Sequence, residues 1–364
     1  MDRGSPMKRV LKTVGKAAAG IGAAAAAAGL VLRSDLAAEG VKAGITLCLE
    51  TVIPSLFAFM VLSDFLAAGG GTGWIFAPFK WLARVYHLPD AAAAALALGL
   101  VGGYPVGARM AAGLIREGRL DGREASALLC TAYGPSPTFL AGIGAMVFGN
   151  RKIGLVIWLA LVLATLPVGF LAGRGLQRRE REGVITPPPM QPLSGRFVGS
   201  VLSATRAMGV ICGFTVAFAV LRQYLLLLPG EMGRFAAAFC EVSVGCMSAG
   251  ERGYGAALLL VTGCCSLGGV SVWMQNACFL RGSGISMEKF FLSRVLHLLF
   301  SLSLVLLFDR WLGMSEWAAV NVFSSFSEAV PAMGAGSAVS SAFLVASCLL
   351  LLPGGRGVCY NKSD

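Results

Sequence analysis

The stretch Ala91–Arg119 (AAAAALALGLVGGYPVGARMAAGLIREGR) constrains the fold of this chain more than any other. It is apolar enough for a membrane, yet Gly102, Gly103, Pro105 and Gly107 interrupt it near its middle. Proline removes a backbone donor and paired glycines favour turns, so no continuous helix runs through Gly-Gly-Tyr-Pro-Val-Gly. Each half holds about 10–12 residues, roughly 15–18 Å as helix, against about 30 Å of hydrocarbon. The spacing therefore predicts a helical hairpin that enters the bilayer, turns at the tip and leaves on the same side. Non-helical backbone at that depth must be buried in protein or line a watery cavity, which puts the tip beside a permeation site.

Composition agrees with a membrane as solvent. Of the 364 residues 56% are hydrophobic and only 13% charged, with a mean hydropathy of +0.74. Those values exclude an ordinary soluble domain and indicate an all-α polytopic membrane protein. The net charge of +11 falls mostly at segment ends, where it reads as a topology signal and not as a nucleic-acid surface. The ten cysteines form no CxxC pair and lie mostly in apolar segments, as small buried fillers do. No HExxH, GxSxG or GxxxxGK[ST] is present. The expectation is a protein that is not an enzyme, with no catalytic residues, metal or cofactor.

Along the chain, residues 1–40 combine a basic start (Arg3, Lys8, Arg9, Lys12, Lys16) with a first helix over Ala17–Leu32. A first repeat follows over 41–174. It opens with a span from Val41 to Leu66, kinked at Pro54 and carrying Glu50 and Asp64, and an interfacial segment, Trp74–Leu88. The hairpin 91–119 comes next. Asp121 and Glu124 then mark a helix start of the capping-box kind, and Tyr133-Gly-Pro-Ser-Pro137 breaks that helix before it resumes to Phe148. A regular span, Ile153–Gly173, leads to a basic, proline-rich loop over 175–197. The second repeat, 198–310, holds a span (Val198–Leu228), a shorter segment with Glu241 (Met232–Met247), a broken stretch 255–281 centred on Gly268-Gly269, and a span over Met287–Phe308. Residues 311–364 add a mixed region with Glu316, Asn321 and Glu328, then a last apolar segment, Ala335–Leu352.

The two broken stretches align, Gly102-Gly103-Tyr104-Pro105-Val106 facing Gly268-Gly269-Val270-Ser271-Val272. With the N-terminus in the cytoplasm, Lys80, Arg84, Arg116, Arg119, Arg123 and Arg174 collect inside, as positive charge should. The first hairpin then enters from inside and the second, over 255–281, from outside. The expected architecture is two inverted repeats, each with a re-entrant hairpin and broken or interfacial helices, in about seven to eight spans.

These residues carry a family likeness. The segments Val52–Leu66 (VIPSLFAFMVLSDFL), Gly99–Leu120 (GLVGGYPVGARMAAGLIREGRL), Tyr133–Gly149 (YGPSPTFLAGIGAMVFG) and Leu267–His297 resemble the YlbJ (SpoVV) sporulation integral membrane proteins, which carry the nucleoside recognition or Gate domain. The resemblance covers roughly Val41 to Phe308, and the GYPVGA hairpin is its most specific part. It implies a fold distantly like concentrative nucleoside transporters. It also implies a role in endospore formation, moving dipicolinate across the outer forespore membrane. Where relatives have an asparagine pair after the first hairpin, this chain has Tyr133-Gly134, so substrate contact at that position is not carried over.

A dianion needs donors and positive charge in a dry site, and helix N-termini supply both. Arg109 is the sharpest candidate, because an intramembrane arginine is costly and its fork suits a carboxylate. The alternative is a structural pair with Glu50 or Asp64. Gln275 and Asn276, just past the second tip, are candidate donors, and so are Ser136, Thr138 and Ser271 beside the breaks. Helix-to-helix hydrogen bonding and the capping of freed backbone are their bland readings. Tyr104 and Trp273 offer rings for stacking or for packing. Glu50 and Glu241 are candidate coupling groups or structural charges, while His297 reads as a satisfied packing residue. The implied partners are a small anion such as dipicolinate, or a nucleoside, together with the lipid bilayer; self-association is permitted. The function read here is a secondary transporter or facilitator, with a nucleoside or small-metabolite permease and a non-transporting scaffold for spore morphogenesis as rivals.

Overall fold

A computed structural model describes residues 20–25, 27–67, 74–176, 192–285 and 287–318. The basic N-terminal residues, most of the proline-rich loop, Asn321, Glu328 and the Ala335–Leu352 segment lie outside the described residues. Every regular element among the described residues is helical. Among the described residues, five helices are long and apolar enough to cross a membrane: Ser34–Ala67, Arg151–Gly173, Leu193–Leu225, Tyr254–Phe279 and Glu288–Leu312. The chain is therefore an all-α, multi-pass membrane protein.

The first of these spans is α1 (Ser34–Leu47) and α2 (Ile53–Ala67), joined by a wide turn of π-helix at Cys48–Val52. Pro54 has no N–H to offer the carbonyl of Glu50, and the widened turn absorbs that loss. The span lies antiparallel to α9 (Leu193–Leu225). Glycines let the two backbones touch: a Cβ at Gly40 would stand 2.6 Å from Val220 Cα, and one at Gly44 2.7 Å from Val216 Cα. The interfacial segment is α3 (Ala77–Val85), closed by His87 in the left-handed region (φ 54).

Two hairpins and two broken spans fill the rest. Helices α4 (Ala93–Gly102) and α5 (Tyr104–Arg116) fold back on each other at Gly103 (φ 88, ψ 172). Gly99 and Gly107 face across that hairpin, a Cβ on the first lying 3.1 Å from Cα of the second. The next helix, α6 (Gly122–Thr131), begins with the predicted capping box: Asp121 accepts the N–H groups of Arg123 and Glu124, and Glu124 accepts that of Asp121. It breaks and resumes as α7 (Pro137–Phe148), and α8 (Arg151–Gly173) returns. Gly144 and Gly154 meet in this turn, and a Cβ on Gly154 would overlap the Leu140 carbonyl. Gly154→Ala is therefore expected to lower stability by about 1–3 kcal/mol, seen as a lower thermal midpoint in detergent.

The second half corrects one expectation. The hairpin predicted over 255–281 does not form. Helices α12 (Tyr254–Leu267) and α13 (Gly269–Phe279) run on in one direction, antiparallel to α14 (Met287–Leu312). Tyr254 meets Asp309 at 2.6 Å, Ser266 meets His297 at 2.6 Å, and the Trp273 ring lies 4.9 Å from Phe291. Partners thus march steadily down α14 across the break. Gly268 (φ 84) and Gly269 (φ 72) are both left-handed, which here offsets the helix axis without reversing it. The second hairpin is instead α10 (Glu231–Cys240) and α11 (Val242–Ser248), turning at Glu241. A Cβ at Gly245 would sit 3.0 Å from the Ala238 carbonyl oxygen across this hairpin. The Arg252–Glu231 ion pair, 3.4 Å, ties its exit to its start.

Contacts at the helix termini divide the bundle into two ends. The start of α6 lies by Gly284 just before α14, and Gly173 at the end of α8 lies on Tyr86; this is the A end. At the B end Asn150 donates to the Trp317 carbonyl, and Tyr224 donates to that of Arg33. The first hairpin opens from A and the second from B.

Candidate functional site

Four interruptions of the backbone meet inside the bundle. The first hairpin tip rests on the break between α6 and α7, where a Cβ at Gly103 would stand 3.5 Å from Ser136 N. The second hairpin tip rests on the break between α12 and α13, where a Cβ at Gly269 would stand 3.2 Å from the Phe239 oxygen. The pairs are then tied crosswise. Tyr104 donates to the Cys265 carbonyl at 2.7 Å and Tyr133 to that of Leu267 at 3.1 Å. The Trp273 indole also donates to Leu267, at 2.6 Å. A helix that stops inside a membrane leaves its last carbonyls without partners. Two phenols and an indole provide those partners here, and the Tyr104 and Tyr133 rings pack with centroids 4.8 Å apart.

Arg294 on α14 does the same for the other break. Its side chain is 1% exposed. One terminal nitrogen donates to the Tyr133 carbonyl at 3.3 Å, and the other donates to that of Cys130. The guanidinium also lies over the rings of Tyr133 (4.8 Å) and Phe290 (5.3 Å). No carboxylate pairs with it among the described residues. Its charge sits at the C-terminal end of α6, where the helix dipole is negative. Sequence reasoning gave Arg294 no role, although an arginine within an apolar span is the signal that singled out Arg109.

The structure places the other candidates as follows. Arg109 forms an ion pair with Asp64, Nη2 to Oδ1 at 2.6 Å, with side-chain exposures of 11% and 18%. Its Nε and Nη1, like Asp64 Oδ2, are buried without a partner. Gln275 donates to the Ser271 hydroxyl at 3.3 Å, and both are buried. Asn276 is wholly buried, and neither amide atom has a hydrogen-bond partner. Such an amide is costly unless something bonds to it. Ser136 caps α7 by accepting the Phe139 N–H. Thr138, in the first turn of α7, is exposed. Glu241, at the second tip, accepts the Val244 N–H at 2.9 Å and so caps α11. Glu50 is exposed on the wide turn of the first span. His297 is satisfied on both nitrogens, by the Ser266 hydroxyl at 2.6 Å and the Leu161 carbonyl at 3.0 Å. The carbonyl can only accept, so Nε2 carries the proton. Beside the first break lies a cavity of about 10 Å³, lined in part by Tyr133, Gly134, Pro135 and His297, room for about one water.

Hairpins opening from opposite ends, with broken spans meeting between them, define a multi-pass α-helical membrane protein with a buried polar centre. The chain is 30% identical over 201 residues to the sporulation integral membrane protein YlbJ of Bacillus subtilis (strain 168). The match takes in 53% of this chain and 48% of YlbJ, so the chain spans about half the length of the curated relative it matches. No family model matches the chain. No solved structure matches it either.

Proposed function

We propose that this chain is a secondary transporter of the YlbJ kind that carries dipicolinate, a small aromatic dicarboxylate, across the outer forespore membrane during endospore formation. The observation that carries the reading is the meeting of two hairpin tips and two helix breaks at one buried point. Discontinuous helices meeting near the midplane are the recurring plan of substrate sites in such carriers. The order hairpin, broken span, unbroken span occurs twice, as α4 to α8 and as α10 to α14, in opposite senses. We take these as inverted repeats, in which either hairpin can swing to open one end at a time.

The A end carries Arg84, Arg116, Arg119, Arg123, Arg174, Arg281 and Lys289 and is assigned to the cytoplasm. A carboxylate is favoured over an uncharged nucleoside because the buried Arg109 keeps two N–H groups unengaged. Asn276, Gln275 and Ser271 supply further donors and acceptors on α13. The closed centre means that substrate enters only when a hairpin moves.

The test is flux of radiolabelled dipicolinate, beside a nucleoside, into vesicles holding the purified full chain. Saturable dipicolinate flux that falls about ten-fold or more in Asn276→Leu is expected, since a lost buried hydrogen bond to a charged group is worth about 1.5–3 kcal/mol. Nucleoside flux alone would replace this reading with the permease. No flux of either from folded protein would replace it with a scaffold.

A further inference from the structure

Between α6, α8 and α14, at the A end, lies a cavity of about 500 Å³ that borders the convergence described above at Cys130 and Ser293 and includes none of the hairpin-tip residues. Its rim carries Arg123 in the first turn of α6, Arg174 at the end of α8 and Lys289 in the first turn of α14. Three separate elements each bring one cation to the same hollow, and none of its lining residues is acidic. Asp121 and Glu124, close to Arg123 in sequence, accept backbone N–H groups in the capping box of α6, and Glu288 adjoins Lys289 in the first turn of α14. Deeper in, the walls are apolar, and small side chains, Ser126 and Ser293 among them, leave the space.

The lining reaches the outside of the bundle between α8 and α14 as well as the A end. Leu171 and Leu292 belong to it and are 39% and 66% exposed on the outside of the bundle. A site that reaches hydrocarbon between two spans, with cations only at the end where headgroups lie, suits an amphiphile. Basic pockets between membrane helices hold acidic headgroups in this way, arginine offering a phosphate a two-pronged donor. The volume falls within the range of small-molecule sites, about 300–1,000 Å³, enough for a headgroup with its glycerol.

We propose that this cavity binds an anionic phospholipid, its phosphate held by Arg123, Arg174 and Lys289 and its acyl chain lying past Leu171 and Leu292. The inference does not depend on what the protein transports.

The test uses the full chain, purified in detergent and stripped of lipid, with native mass spectrometry and thermal unfolding as readouts. Phosphatidylglycerol, phosphatidylcholine and inorganic phosphate are added separately at equal concentrations. The expected result is a retained phosphatidylglycerol adduct with a raised midpoint, and neither with the other two. In Arg123→Gln/Arg174→Gln/Lys289→Gln, affinity for phosphatidylglycerol should fall about ten-fold or more, the loss of two or three charge-assisted bonds. Arg151→Gln/Lys152→Gln, at the B end, should leave it unchanged. If the triple variant does not fold, Arg174→Gln alone should still lower affinity about three-fold, because Arg174 is exposed and forms no ion pair among the described residues. Equal retention of phosphatidylcholine, or a triple variant that binds like wild type, would overturn the proposal. Stabilisation by inorganic phosphate equal to that by phosphatidylglycerol would overturn the lipid and leave a site for a soluble anion.

Discussion

Arg294→Leu is expected to cost about 3–5 kcal/mol of stability, the loss typical when one side of a buried charged interaction is removed. Most domains are stable by only about 5–15 kcal/mol, so much of the protein should fail to fold at growth temperature. The cause is specific. Leucine fills much of the volume but offers no donors, and the Cys130 and Tyr133 carbonyls at the end of α6 are left without the partners they now have. No water reaches that depth cheaply, so each orphaned carbonyl costs about 1–3 kcal/mol. Arg294→Lys keeps the cation but not the fork, and should recover part of the loss. The measurement is the thermal midpoint in detergent, read with dipicolinate flux. A leucine variant that melts like wild type would remove Arg294 from its capping role. A lysine variant with recovered midpoint but no flux would put the guanidinium in contact with substrate.

The first hairpin, the break at Tyr133–Pro137 and the capping box at Asp121 were legible in sequence because each leaves a local chemical mark: glycine and proline where helix stops, acid where it starts. The second hairpin left no such mark. Its turn is Cys240-Glu241-Val242, with Glu241 extended (φ −139, ψ 122) and no glycine or proline at the tip. What fixes it is the Glu241 carboxylate capping α11 and the close approach of Gly269 to Phe239 and Cys240, neither visible in a linear reading. Gly268-Gly269, by contrast, looks like the first tip and does something else. Gly103 has ψ 172 and turns the chain back, whereas Gly268 has ψ −9 and only offsets the axis. Two glycines say that a helix is interrupted; which way it then goes is decided by packing on α14. Arg294 carried the mark of an arginine in an apolar span, but its capping role was hidden for a related reason. Its partners are carbonyls 161 and 164 residues away, and a carbonyl carries no sequence signature.

The second large effect concerns Arg109 and Asp64, whose pairing the sequence left open beside a substrate role. Arg109→Leu alone strands a carboxylate in a buried place, and Asp64→Leu alone strands a guanidinium. Each is expected to lose about 3–5 kcal/mol. The double variant, Asp64→Leu/Arg109→Leu, removes both charges and should melt close to wild type, since replacing a buried ion pair by apolar side chains is often neutral or stabilising. That recovered stability makes flux informative. A pair that only fixes α2 against α5 leaves a double variant that still carries dipicolinate. If instead the two unengaged N–H groups of Arg109 receive the substrate carboxylate, the double variant folds and is silent. We expect silence toward dipicolinate, because Nε and Nη1 of Arg109 are buried with nothing else to bond, and buried donors of a cation are seldom left idle. The difference between the double variant's midpoint and its flux then measures how much of this ion pair serves the fold and how much serves the cargo.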